Sequence, residues 1–132
     1  MRVTLDTNIY VSAFALHGSH ADEAVRAAVE GRYELIVSAA LLAELANVLQ
    51  RKFQWEHERI LNVCRILSET SLVVRPSMTL RVFKDDPDNR ILECALAGKA
   101  DFIVTGDKHM LALNDCQGVR IITLAGFIGK IK

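Results

Sequence analysis

Apolar positions along the chain follow two rhythms. Arg2–Leu5, Tyr33–Val37, Leu72–Val74, Phe102–Thr105 and Ile121–Leu124 are short runs rich in β-branched residues, apolar without alternation. That is the pattern of strands buried on both faces. Between them the spacing becomes helical. The sequence predicts a short helix within residues 8–16 and a second from Ala21 to Glu30. Ser19 with Asp22 forms a capping-box-like start to the second, and Gly31 lies near its end. A long helix from Ala39 to Lys52, capped by Ser38, buries Leu41, Leu42, Leu45, Val48 and Leu49. Another over Glu56–Glu69 turns Ile60, Leu61, Val63, Cys64 and Leu67 inward, with Trp55 packing at its start. The acidic loop Asp85–Asn89 leads into a helix through Ile91, Leu92, Ala95 and Leu96 that ends at Gly98. A short helix carries Met110, Leu111 and Leu113, and a small helix closes the chain.

Strands that alternate with helices and are apolar on both faces imply a parallel sheet with helices on each side. The expected fold is α/β, a three-layer α/β/α sandwich with a parallel sheet of about five strands joined by right-handed crossovers. Residues 1–132 are expected to form a single domain, a suitable length for one hydrophobic core. In such sheets ligands bind beyond the carboxyl ends of the strands, and acids gather there. Asp6 ends the first strand and Asp107 follows the fourth. Asp88 stands at the mouth of the helix that runs back before the fourth, and Glu44 lies one to two turns into the helix after the second. Asp85 is the reserve for the third position.

Each acid alone reads as a turn, cap or surface residue. Together they form a cluster whose mutual repulsion is costly unless a hard cation is present. Mg2+ or Mn2+ is the cation such oxygen ligands prefer, and it would activate a water for in-line attack on a phosphodiester. Arg51, Lys52, Lys84, Arg90 and Lys108 fall near the same rim by topology, where they would guide a phosphate backbone. His109 follows two residues after Asp107.

The composition narrows the setting. Lys plus Arg and Asp plus Glu each number 16, which excludes a strongly basic nucleic-acid binder but not a local basic face. Cys64, Cys94 and Cys116 are scattered and lack a C-x-x-C pair, so neither a disulfide framework nor a zinc knuckle is expected. Cys94 reads as core packing. With no long apolar run and no leader-like start, the expected setting is the reducing cytoplasm, without a membrane.

Four stretches carry a family resemblance: Leu5-Asp6-Thr7-Asn8; Ser38 through Leu49 around Glu44; Asp85-Asp86-Pro87-Asp88-Asn89 with its following helix; and Asp101-Phe102-Ile103-Val104-Thr105-Gly106-Asp107. In this order and spacing the chain resembles the PIN-domain nucleases, including the toxins of VapC type. The resemblance implies a metal-dependent endoribonuclease with Asp6, Glu44, Asp88 and Asp107 as its acidic metal site and Asn8 and Thr105 as polar supports. It implies RNA as substrate and an antitoxin as partner. Apolar surface on residues 39–69 would suit either an antitoxin or a homodimer. The rival reading is a PIN-like module that holds RNA or a protein without cutting. A phosphotransfer receiver domain fits poorly, because the third strand ends Val74-Arg75-Pro76-Ser77.

Overall fold

A computed structural model describes residues 1–132. In chain order the elements are β1 (Arg2–Leu5), α1 (Thr7–Ala15), α2 (His20–Val29), β2 (Glu34–Ser38), α3 (Ala39–Phe53), α4 (His57–Thr70), β3 (Leu72–Val74), α5 (Asp86–Ala97), β4 (Phe102–Val104), α6 (Lys108–Leu113), β5 (Asp115–Cys116), β6 (Val119–Ile122) and α7 (Leu124–Ile131). The sheet runs β3-β2-β1-β4-β6-β5. All neighbours pair in parallel except β5 and β6. The sheet therefore has six strands rather than about five. The extra strand is a two-residue edge joined to β6 by Gln117-Gly118, both at positive φ, as a tight primed hairpin turn requires.

Why the strands read as continuously apolar is plain from the two cores. Val3, Leu5, Leu35, Val37 and Val104 face α1–α4 and α7, burying Ile9, Leu45, Leu49, Leu67 and Phe127 with them. Ile36, Ile103 and Ile121 face the other way, onto Ile91, Leu92, Cys94 and Ala95 of α5 and Met110 of α6. Fully burying aliphatic side chains of this kind contributes roughly 1.5–3 kcal/mol each. The end of α5 lies close to the sheet. A Cβ on Gly98 would stand 2.6 Å from Ile36 Cδ1, so glycine permits the approach. Burial pushes the Cys94 thiol up to about 11, in keeping with packing rather than nucleophilic chemistry. No helix is long and apolar enough to cross a membrane.

Helix starts follow the sequence signals. Ser19 Oγ accepts from the Asp22 amide at 3.2 Å, but the Asp22 carboxylate reaches back to the Gly18 amide at 2.8 Å, one residue earlier than a capping box would place it. Ser38 Oγ accepts from the Leu41 amide at 3.3 Å. Trp55 packs on Phe14 with Arg59 over its ring. Some details differ from the expectations. Leu61 points outward, 54 % exposed, because α4 buries only the narrow stripe through Ile60 and Leu67. Leu124 opens α7 rather than ending a strand, since Thr123 caps that helix. Helix α5 begins inside the acidic loop, at Asp86, as the proline at its second residue favours.

Candidate active site

Strand order sets the site. From β1 the chain moves outward to β2 on one side, whereas β4 pairs on the other, with Leu5 beside Val104. The crevice at such a switch point opens at the carboxyl ends of β1 and β4. Asp6 and Thr105 are the next residues along, and they meet there. The Thr105 hydroxyl donates to Asp6 Oδ2 at 2.8 Å and accepts from the Asp107 amide at 3.0 Å. The second Asp6 oxygen, Oδ1, accepts from the Asn8 amide at 3.3 Å, so Asp6 also caps α1. Asn8 thus contacts Asp6 through its backbone, and it is one of the residues that line the pocket.

The other acids arrive from separate elements. Asp107 caps α6, with Oδ1 accepting from the His109 amide at 2.7 Å and the Met110 amide at 3.2 Å. Asp88 lies in the first turn of α5 and is buried, with 7 % of its surface exposed. Glu44 comes from α3, and Val48 and Arg51 share its face at helical spacing. Asp6, Glu44, Asp85, Asp88 and Asp107 all line one pocket of about 200 Å³, together with Arg51 and Lys52. The structure brings the four expected acids together and adds the reserve, Asp85, at the exposed edge.

Five carboxylates facing two cations is an electrostatically loaded arrangement. Burial raises the Asp88 carboxyl to about 6, reinforced by the charges of Asp107, Asp85 and Asp6 and eased by His109; no hydrogen bond holds it down. Asp6 is also raised, first by burial and then by Asp107, while the Thr105 and Asn8 hydrogen bonds work against the shift. As the side chains stand, no three His, Cys, Asp or Glu residues are drawn tightly enough together to enclose an ion. The donor set nevertheless fits a hard divalent cation, being composed of carboxylate oxygens, two of which, on Asp6 and Asp88, the site disfavours in their ionised form.

The basic residues divide. Arg51 lines the acidic pocket, and Lys84 lines an adjoining cleft with Asp85, Asp88 and His109. Lys108 is exposed on the first turn of α6. Arg90 does not reach either wall. Its guanidinium pairs with Asp86 at 3.1 Å and Glu93 at 2.7 Å and donates to the Leu80 carbonyl at 3.1 Å. This is a correction to its expected place at the rim. Sequence reasoning also missed Asn89, buried next to Asp88. Its Oδ1 accepts from the Val82 and Phe83 amides at 3.0 and 2.8 Å, and its Nδ2 donates to the Phe83 carbonyl at 2.9 Å. An asparagine in a helix's first turn carries no signal of a loop it will hold.

Comparison with known proteins agrees with this architecture. The chain is 27 % identical over 119 residues to an uncharacterised protein of Methanocaldococcus jannaschii, MJ1680, covering 87 % of this chain and 76 % of that one. Its fold is similar to a chain in the crystal structure of VapBC2 from Rickettsia felis bound to a DNA fragment from their promoter. The TM-score is 0.64 at 17 % identity, over 93 % of this chain and 98 % of that one. Residues 2–109 match the family model for the PIN domain, and the chain belongs to the PIN-domain family.

Proposed function

We propose that this chain is a Mg2+- or Mn2+-dependent endoribonuclease, the toxin of a toxin–antitoxin pair, working in the cytoplasm as a single domain. The observation that carries the reading is the convergence of Asp6, Glu44, Asp88 and Asp107 from four separate elements on one pocket, with Asp88 raised to about 6. A fold does not select such an arrangement for stability; it is the kind tolerated where function needs it. Those four side chains would hold the cation, which when bound supplies charge neutralisation at the phosphodiester and activation of the attacking water. Thr105 and the Asn8 amide fix both oxygens of Asp6 in one orientation. The Asp107 side chain is fixed in turn by the amides of α6. Arg51 and Lys52 at the rim would offset the approach of a polyanion to an acidic pocket. Support for the toxin role and for an antitoxin partner is the likeness to VapBC2.

The test is cleavage of single-stranded RNA by wild type and Asp6→Asn, with Mg2+ or Mn2+ and with chelator. Wild type should cut only with metal. Asp6→Asn should lose about 10²–10³ in rate or more, while Asp115→Asn, on the distant β5 edge, should match wild type. Asp6→Asn cutting at the wild-type rate would remove the assignment. RNA binding that is equal with and without chelator, and is never followed by cleavage, would instead identify a binding module.

A further inference from the structure

Beside the acidic pocket lies a larger cleft of about 530 Å³, lined by Val82, Phe83, Lys84, Asp85, Asp88 and His109. Its volume is that of a small-ligand site, and Asp85 and Asp88 form the wall it shares with the acids. Whatever occupies it is therefore next to the proposed cleavage centre. The lining has two chemistries. Val82 and Phe83 give an apolar wall with an aromatic ring, and Lys84 and His109 bring nitrogen groups from two different segments.

The apolar wall is held rigid although residues 75–82 belong to no helix or strand. Asn89 fixes the backbone of Val82 and Phe83 by three hydrogen bonds. Glu93 accepts from the Leu80 amide at 2.7 Å, and Arg90 donates to the Leu80 carbonyl. Three α5 side chains, Asn89, Arg90 and Glu93, are thus committed to this strap. A loop this closely tied to the helix bearing Asp88 keeps the cleft's position constant relative to the acids. An apolar, aromatic wall in one cleft with a lysine and a histidine is the combination that single-stranded nucleic acid needs, one surface for the base and another for the phosphate.

We propose that this cleft seats the nucleotide adjoining the scissile phosphate, its base against Phe83 and Val82 and its own phosphate held by Lys84 and His109. Asn89 is then a positioning residue, acting through the 82–84 backbone. The proposal rests on the reading of the acidic pocket as the cleavage centre.

The test is equilibrium binding of a fluorescein-labelled single-stranded RNA octamer, read by anisotropy in the Asp6→Asn background with Mg2+ present. Lys84→Gln and His109→Gln are added singly and together, both at exposed positions where folding should be unaffected. Each should weaken binding about three- to tenfold, and the pair should reduce the log–log salt slope by about 0.7, one phosphate contact on a single strand. Lys84→Arg should keep the parent slope. Phe83→Leu should weaken binding about fivefold or more without changing the slope, because stacking is lost and no charge is. Unchanged affinity and slope in the Lys84→Gln/His109→Gln protein would overturn the subsite, while loss of cleavage on Asp6→Asn would still stand for the acidic pocket. Absence of RNA binding by wild type as well as by the Asp6→Asn parent would overturn both.

Discussion

Replacing Asp88 with asparagine should make the metal-free protein more stable. Asp88 is nearly buried, accepts no protein hydrogen bond and faces Asp107, Asp85 and Asp6. Its carboxyl stands at about 6 against an ordinary 3.8. That difference corresponds to about 3 kcal/mol against the ionised native form at neutral pH. The pocket is open to water, so screening reduces this to about 1–2 kcal/mol. The first turn of α5 favours a negative charge by roughly 0.3–1 kcal/mol, which asparagine forfeits. The net expectation is a gain near 1 kcal/mol, or about 3–5 °C in Tm for a chain of this size. The native carboxyl keeps its proton to higher pH than the unfolded one. Wild type should therefore lose stability relative to Asp88→Asn as pH rises from about 4 through about 6, and the two should converge below that window.

The assay is thermal unfolding of both proteins across that range in chelator, repeated with Mg2+ or Mn2+. Metal at about a hundred times its Kd should raise wild-type stability by about 2.7 kcal/mol and the variant by less, reversing their order at neutral pH. A variant less stable than wild type in chelator at neutral pH would refute the reasoning, as would a gap that does not shrink on acidification.

Two further substitutions test the supports of the site. Thr105→Val keeps the shape but removes the donor to Asp6 and the acceptor for the Asp107 amide. It should cost about 2–3 kcal/mol in urea unfolding. Because the lost hydrogen bond holds the Asp6 carboxyl down, the deficit should be larger at pH values where Asp6 is ionised and shrink toward acid. Asn89→Leu leaves two amides and a carbonyl of the 82–83 strap without partners. It should cost about 2–4 kcal/mol and speed hydrogen exchange at Val82 and Phe83 ahead of the α5 core, and equal protection there would show that Asn89 does not hold the strap.

Much of this molecule is written locally. The apolar runs of β1, β2 and β4 mark strands buried on two faces, whereas the similar run of β3 forms an edge strand that leaves Val73 exposed; Ser19, Ser38 and Gly98 punctuate helices because capping chemistry needs only neighbours. Acids that follow strands are visible for the same reason, so the sequence alone places Asp6 and Asp107 at one rim. Tertiary structure decided what depends on partners far along the chain. Strand order put β4 beside β1, so that Thr105 reaches Asp6 across 99 positions; nothing in either segment encodes that pairing alone. It placed both Asp85 and Asp88 on the pocket, buried the second and left the first exposed. It tied Arg90 to Asp86, Glu93 and Leu80 rather than to the rim, and made Asn89 the anchor of a strap. It also added the β5 edge, two residues too short for any periodicity to show. A side chain's type can be read from sequence, but its charge cost and its partner are set by the groups that the fold brings next to it.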